Sequence, residues 1–157
     1  MEDAMRTSRR YFILALATVM LLSLGSARTA DLSPASRIYK RPDQIAWKTN
    51  PTSGAQTAIL LGDPSKPGLY IELLKRPPND WSKAHWHPND RFLTVLSGTF
   101  WVGTGSKVDP ANTVPMPAGS VGTDFAKGVH FDGTKDDGVV LEIVGEGPAT
   151  SIPADEK

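Results

Sequence analysis

Short apolar runs, each of strand length and bounded by glycine or proline, follow one another along the chain from about residue 55. In the run 68–76 (GLYIELLKR), Tyr70 and Glu72 fall on one face of an extended chain, and Leu69 and Ile71 fall on the other. Alternation with a period of two is the pattern of a half-buried β-strand. No stretch shows the 3.6-residue period of an amphipathic helix, so the sequence predicts an all-β domain.

The remaining apolar runs predict further strands, which lie at 56–63, 83–87, 120–131 and 138–147, the run 120–131 supplying two of them. The run 91–105 predicts two strands folded about Ser97–Gly98, and the segment 107–119, rich in turn formers, predicts a loop. About eight short strands in roughly 110 residues favour a closed barrel or a two-sheet jelly roll. Closure removes exposed strand edges, and a barrel of this size can enclose one small ligand.

The first 30 residues have the layout of an export signal, with a basic start, an apolar run and small residues before the exit. The stretch 8–14 (SRRYFIL) resembles a twin-arginine signal. A membrane anchor is the alternative, but the 12 residues from 13 to 24 are short of the about 20 that span a bilayer. We therefore expect a periplasmic or secreted protein with no stable membrane anchor once the signal is removed.

This division of the chain gives four predicted segments, namely an export signal at 1–30, an N-terminal arm at 31–54, a barrel at 55–147 and a C-terminal tail at 148–157. Charge adds little to the picture, because 17 Lys and Arg balance 17 Asp and Glu in the full chain. Removing residues 1–30 takes away four basic and two acidic residues and leaves a net charge of −2. No basic patch indicates nucleic acid as a partner. With no cysteine, the domain depends on a packed core alone.

The chain has three histidines, and their placement is the main chemical signal. His85 and His87 are one residue apart, so they share a face if the chain is extended. His130 lies on a different predicted strand. Neutral imidazole is the commonest side-chain metal ligand, so we predict that the three converge on one metal ion. The alternative is that the pair is ordinary polar filling near the mouth of a barrel.

The spacing around the first two histidines resembles the first motif of the cupin superfamily, and in particular of small single-domain secreted bacterial cupins. That motif reads Gly, five residues, His-x-His, three or four residues, Glu, six residues, Gly. The residues here at those positions are Asn79, His85, His87, Arg91 and Gly98. Both histidines and the last glycine are kept, whereas the first glycine and the glutamate are replaced.

The third histidine falls in a segment that resembles the second cupin motif, which reads Gly, five residues, Pro-x-Gly, two residues, His, three residues, Asn. The residues here are Gly119, Phe125, Lys127, His130 and Thr134. The histidine and the first glycine are kept; the proline, the inner glycine and the asparagine are not. The resemblance covers about residues 55–147.

The resemblance implies a jelly-roll barrel of the double-stranded β-helix type. It implies that His85, His87 and His130 bind a divalent metal ion inside the barrel, with iron, manganese, zinc and nickel as candidates. The fourth ligand of the family, the glutamate, has no counterpart, because Arg91 occupies its place. A homodimer is expected by analogy.

Arg91 changes the electrostatics of such a site. Guanidinium has donors only and stays protonated, so arginine cannot be a ligand. Two unit charges about 4 Å apart interact by about 4 kcal/mol at an effective dielectric near 20, and a divalent ion would feel about twice that as repulsion. We expect an inward Arg91 to weaken metal binding and to lower the pKa values of His85 and His87, unless Asp90 or Asp124 pairs with it.

Three interpretations follow. In the first, the three histidines hold a metal ion and Arg91 binds the carboxylate or phosphate of a substrate. In the second, no metal binds, and Arg91 and the histidines form a cationic pocket for an anionic small molecule. In the third, the barrel has no ligand. We favour the first, a metal-binding cupin that acts on or recognises a small anionic molecule, of dioxygenase or isomerase type if catalytic. A non-catalytic binding module is the alternative.

The other charged residues are weaker candidates for a role at the site. Asp132, Asp136 and Asp137 predict an exposed acidic turn. Lys127 is expected to be solvated.

Overall fold

A computed structural model describes residue 33, residues 35–37 and residues 39–155. The predicted export signal at 1–30 lies outside the described residues. Ten strands form, in chain order Lys48–Thr49 (β1), Gln56–Leu61 (β2), Gly68–Arg76 (β3), His85–Trp86 (β4), Arg91–Thr104 (β5), Val114–Pro117 (β6), Val121–Asp124 (β7), His130–Gly133 (β8), Val139–Gly147 (β9) and Ile152–Pro153 (β10). The one helical element of the described residues is a 3-10 turn, Pro42–Gln44. None of the helical structure described is long or apolar enough to cross a membrane.

The strands pair antiparallel in the order β1-β2-β3-β9-β5-β8-β4-β10, and β6 and β7 also pair with β5. The first half of β5 pairs with β7 and β9, whereas its second half pairs with β6 and β8. The long strand β5 therefore belongs to both halves of the structure, and the sheet folds over on itself about that strand. This is the predicted all-β jelly roll.

The bend in β5 lies where the sequence predicts a reversal. The pairing register with β9 shifts between Val95 and Ser97, and Gly98 has φ of 74°. A Cβ atom on Gly98 would lie 1.9 Å from the carbonyl oxygen of Gly138, so only glycine allows the two backbones to approach this closely. The prediction of two strands folded about Ser97–Gly98 is wrong, because the strand bends there but does not reverse.

Three segments without predicted strands also contain them. The predicted arm 31–54 includes β1, which pairs with β2, and the predicted tail 148–157 includes β10. The predicted loop 107–119 includes β6, which pairs only with β5 among the described strands. Prolines at positions 115 and 117 favoured a loop, but an edge strand tolerates proline because the missing N–H groups need not face a partner. The two short strands predicted within 120–131 correspond to β7 and the start of β8.

A buried apolar cluster fills one part of the interior, and its members come from β3, β5 and β9. They are Tyr70, Leu93, Val95, Phe100, Val139, Leu141 and Ile143. Alternate residues of β9 point inward, which is the period-two pattern of a strand. Burying each large apolar side chain stabilises the fold by about 1.5–3 kcal/mol. Four members of the cluster, Leu93, Phe100, Leu141 and Ile143, line a cavity together with His85 and His87, so the apolar cluster forms a wall next to the histidines.

The four positions at which the cupin motifs expect glycine have positive φ. The angles are 57° for Asn79, 74° for Gly98, 89° for Gly119 and 64° for Lys127. Among the described residues, Asn79 and Lys127 are the two non-glycine residues with positive φ. The backbone therefore keeps the left-handed conformation that favours glycine even where glycine is replaced.

Candidate metal centre

The three imidazoles converge, because their strands are paired in register. His85 on β4 and His130 on β8 are direct cross-strand partners, and His87 follows two residues after His85. The ring centroids of His85 and His130 are 4.4 Å apart, and those of His87 lie 4.9 Å from His85 and 5.2 Å from His130. One nitrogen of each ring lies within 4.8 Å of the other two. The predicted convergence is confirmed, and the cluster could hold a metal ion.

The hydrogen bonds of the three rings fix which nitrogen faces the centre. Each Nδ1 lies close to a backbone carbonyl oxygen, at 2.7 Å for His85, 2.8 Å for His87 and 2.9 Å for His130. A carbonyl oxygen only accepts, so each Nδ1 carries the proton and donates, and each Nε2 of the neutral ring has a free lone pair. Metal-binding histidines are oriented in this way by a hydrogen bond from the other ring nitrogen.

Two of these Nε2 atoms are buried hydrogen-bond acceptors without a donor. Nε2 of His87 and Nε2 of His130 have no hydrogen-bond partner among the described residues. A buried polar group without a partner costs about 1–3 kcal/mol, so a ligand at the centre of the cluster would remove two such penalties. The donor set therefore fits a divalent metal ion.

Burial favours the neutral form of two of the imidazoles. It lowers the pKa of His85. Burial, assisted by the Arg91 charge, lowers the pKa of His87 to about 4. The direction of both shifts is as the sequence led us to expect, but the removal of solvent contributes more than Arg91 does. Neutral imidazole at pH 7 is the form that binds metal.

Arg91 points inward and is already paired. It is the direct cross-strand partner of Asp124 on β7, and its Nη2 donates to Asp124 Oδ2 over 2.6 Å. Asp90, the other candidate partner, instead accepts a hydrogen bond from the backbone N–H of Ala126 over 2.7 Å. The expected repulsion between an unpaired arginine and a metal ion does not apply, because a carboxylate neutralises Arg91.

Tyr70, Gly145, Arg91 and Asp124 form a row across β3, β9, β5 and β7, each opposite the next. A Cβ atom on Gly145 would lie 2.7 Å from the phenol oxygen of Tyr70, so glycine leaves room for this ring beside Arg91. The phenol oxygen is buried without a hydrogen-bond partner among the described residues. Burial raises the pKa of Tyr70, and Arg91 opposes the shift.

Asp132 is a site residue that the sequence analysis missed. Its Oδ2 lies 4.0 Å from Nε2 of His85 and 3.8 Å from Nε2 of His130, and the residue is 7% exposed. The predicted exposed turn is therefore wrong for Asp132, although Asp136 and Asp137 are exposed. Strand β8 continues to Gly133, which places Asp132 on the same face as His130.

Arg76 is the second missed residue. Its guanidinium forms an ion pair with Oδ1 of Asp132, and its Nε donates to Oδ2 of Asp80 over 2.7 Å. Together, Arg76, Arg91, Asp80, Asp124 and Asp132 contribute three carboxylates and two guanidinium groups beside the histidines. Their formal charge is −1, which favours a cation at the centre.

Two cavities border the histidine cluster. The larger, about 770 Å³, is lined by His130 and Asp124 and by mostly apolar side chains. The smaller, about 510 Å³, is lined by His85, His87, Arg91 and Asp132. Both include Leu93 and Phe100 in their walls. Space for a small molecule therefore adjoins the histidine cluster.

The mouth of the larger cavity is apolar. Val114, Val121 and Phe125 line it, and they are 63%, 75% and 69% exposed, among the most exposed large apolar side chains described.

The motif position of asparagine is filled by Thr134, which has a structural role. Its hydroxyl donates to the carbonyl oxygen of Pro77 over 2.6 Å and accepts from the backbone N–H of Asp80 over 3.0 Å. These bonds attach the end of β8 to the segment that follows β3.

No protein-family model and no curated protein sequence matches the chain. Solved structures do match. The polyketide cyclase RemF from Streptomyces resistomycificus has a TM-score of 0.62 and 13% identity over 75% of this chain and 85% of its own. An RmlC-like cupin from Shewanella frigidimarina has a TM-score of 0.55 and 15% identity over 76% of this chain and 94% of its own.

The DMSP lyase DddQ from Ruegeria pomeroyi has a TM-score of 0.55 and 13% identity over 70% of this chain. The match spans 61% of the lyase, so this chain corresponds to less than two thirds of that protein. At these identities the likeness concerns the fold. The chain has the cupin fold, the double-stranded β-helix.

Proposed function

We propose that this chain binds one divalent metal ion through His85, His87 and His130, and that a small organic molecule reaches the ion through the adjoining cavities. The observation that carries the proposal is the orientation of the three rings, in which each Nδ1 is held by a carbonyl oxygen and the buried Nε2 atoms of His87 and His130 lack partners among the described residues. A divalent ion at this point would polarise an oxygen atom of the bound molecule.

The residues around the histidines favour proton transfer as the chemistry. Oδ2 of Asp124 lies 3.7 Å from Nε2 of His130 and Asp124 lines the larger cavity, where it is positioned to accept a proton from a bound molecule. The buried phenol of Tyr70 lies beside Arg91 but lines neither cavity, so it does not contact a molecule bound there. Of the two reaction types considered from the sequence, a carboxylate beside the proposed ion favours an isomerase-type reaction over a dioxygenase. Cupin-fold proteins named as a cyclase and a lyase lend support by analogy of fold alone.

We propose that the ligand has an acidic or oxygen-rich head and an apolar body. Arg91 retains one N–H, on Nε, that is buried without a partner among the described residues, and a carboxylate oxygen of a ligand would satisfy it. The exposed Val114, Val121 and Phe125 around the larger cavity would cover the body. Export of the protein remains part of the proposal and depends on the sequence of residues 1–30.

The metal-free cationic pocket is the second candidate. The pairing of Arg91 with Asp124 counts against it, because the site then has no net positive charge. The two candidates differ after chelation of metal. A metal-free binding module would keep its affinity for a carboxylate ligand such as benzoate, whereas a site that binds the ligand through the ion would lose it.

Equilibrium dialysis against Zn²⁺, followed by elemental analysis, tests the proposal. We expect one zinc ion per chain in the wild-type protein and loss of binding in His87→Ala, with Asp137→Asn, an exposed carboxylate variant, as the matched control. Absence of zinc from the folded wild-type protein, or equal zinc content in His87→Ala and Asp137→Asn, would overturn it.

A further inference from the structure

We infer that Asp132 replaces the glutamate that is missing at position 91 as the anionic ligand of the metal centre. The inference rests on the proposed metal binding. It assigns a role to one of the unspecified positions of the second cupin motif, two residues after the motif histidine. Arg91 and Asp124 then form a neutral pair beside the centre and supply no ligand.

The position of Asp132 Oδ2 supports this assignment. It lies 3.8 Å from Nε2 of His130 and 4.0 Å from Nε2 of His85. Two donor atoms that each lie about 2.0–2.2 Å from one ion are roughly 3–4 Å apart, depending on the angle between them. The separations are therefore those of ligands that share an ion. Asp132 faces two of the three imidazoles in this way.

The other carboxylate oxygen of Asp132 is held by Arg76, which orients the group and leaves Oδ2 directed at the histidines. Arg76 is in turn fixed by Asp80, whose Oδ2 accepts from Nε. Ligating carboxylates are commonly hydrogen-bonded from behind in this manner. Arg76 is thus a positioning residue, and Asp80 balances part of its charge.

Asp124 is less suitable, although its Oδ2 lies 3.7 Å from Nε2 of His130. The same oxygen accepts the 2.6 Å hydrogen bond from Nη2 of Arg91. Ligation by Asp124 would compete with this bond at the same atom. Ligation by Asp132 Oδ2 leaves both arginine pairs intact, because Arg76 binds the opposite oxygen.

Competition for Zn²⁺ with a chromophoric chelator tests the inference, together with the visible spectrum of the Co²⁺-loaded protein. We expect Asp132→Asn to weaken Zn²⁺ binding at least tenfold and to change the Co²⁺ spectrum. Adding Arg91→Glu to Asp132→Asn restores a carboxylate at the position used by the cupin motif, and we expect it to recover most of the lost affinity.

The matched control is the double variant Arg91→Gln/Asp124→Asn, which removes the neighbouring pair without changing the net charge. We expect its Zn²⁺ affinity to stay within about threefold of wild type. An unchanged affinity in Asp132→Asn, or a larger loss in the double variant than in Asp132→Asn, would overturn the inference while leaving the proposed three-histidine site in place. Failure of the wild-type protein to bind Zn²⁺ would instead overturn the proposed function.

If Asp132→Asn does not fold, the crystal structure of the wild-type protein with Zn²⁺ decides the question. We expect Oδ2 of Asp132 within ligand distance of the ion, about 2.0–2.2 Å. A zinc ion bound by the histidines with this oxygen more than about 3 Å away would contradict the assignment.

Discussion

The guanidinium of Arg76 forms an ion pair with the carboxylate of Asp132, which lies 56 residues later in the chain. The side chains are 9% and 10% exposed. The pair connects the end of β3, one of the strands that form the buried apolar cluster, to β8, the strand that carries His130. Ion pairs at this depth are costly to break, since the remaining charge has no solvent around it.

We expect Arg76→Gln to lower the free energy of unfolding by about 3–5 kcal/mol, because it leaves Asp132 and Asp80 without their partner in a buried place. Arg41→Gln is the matched control, since Arg41 pairs with Asp43 where both side chains are exposed, and such pairs contribute about 0–1 kcal/mol. Chemical denaturation of the metal-free proteins measures both. Equal, small losses in the two variants would show that the buried pair does not stabilise the fold.

The left-handed backbone at Lys127 gives a second prediction. A lysine at positive φ is destabilised by about 1–2 kcal/mol through steric contact of its Cβ atom, and glycine avoids this contact. Glycine also gives the unfolded chain more conformational entropy, which offsets part of the gain. Lys127→Gly should therefore raise the free energy of unfolding by up to about 1 kcal/mol. Asn79→Gly should raise the free energy of unfolding by less, because asparagine tolerates the left-handed conformation better than lysine does. Lys127→Ala, which keeps the steric cost, is the control, and thermal or denaturant unfolding is the measurement. A lower free energy of unfolding in Lys127→Gly would contradict the claim that Lys127 is strained.

The stability of the metal-free protein should depend on pH through His87. Its pKa is about 4 in the folded protein and about 6.5 in an unfolded chain, so the unfolded state takes up the proton first. This contribution is fully present above pH 6.5 and is lost as the pH falls from about 6.5 toward 4, by up to about 1.4 kcal/mol per pH unit.

Denaturation curves at intervals between pH 7 and pH 4 measure this slope. Folded His87→Gln is the comparison, because it keeps the acidic groups of the protein but removes the titrating ring. We expect a shallower slope between pH 6.5 and pH 5 in the variant. Identical slopes in the two proteins would mean that His87 is not the residue that resists protonation.

The apolar wall of the larger cavity predicts a dependence of ligand affinity on chain length. We expect Zn²⁺-loaded protein to bind straight-chain carboxylates more tightly from acetate to octanoate, by up to about fourfold for each CH₂ group that is buried. Isothermal titration calorimetry measures the series. Val121→Asn should flatten it, whereas Leu61→Asn, which replaces an exposed leucine outside the cavity wall, should not. Equal affinities for acetate and octanoate would show that the cavity does not cover an apolar body.

Much of the site could be predicted from the sequence, because the three histidines follow two simple rules. His85 and His87 share a face by the period of a strand, and His130 is the one remaining histidine. Asp132 was equally within reach, since it lies two residues after His130. It was missed because the segment 132–138 (DGTKDDG) has the composition of a turn, and the structure extends β8 to Gly133 before the turn begins.

The partner of Arg91 could not be selected from sequence alone. Asp90 and Asp124 are both close in the predicted fold, and the choice depends on the register of β5 against β7, which long-range pairing decides. The bend in β5 could not be predicted from sequence alone for the same reason. Gly98 marks a change of direction, but a bend rather than a reversal results from the close approach of Gly138, 40 positions away in the sequence.

The central claim is that the three imidazoles bind one metal ion, and X-ray absorption at the zinc edge of the Zn²⁺-loaded wild-type protein measures this most directly. We predict a spectrum that requires three imidazole ligands, with nitrogen atoms about 2.0–2.1 Å from zinc. A spectrum that fits one imidazole or none, with zinc surrounded by oxygen atoms alone or nearly so, would contradict the account.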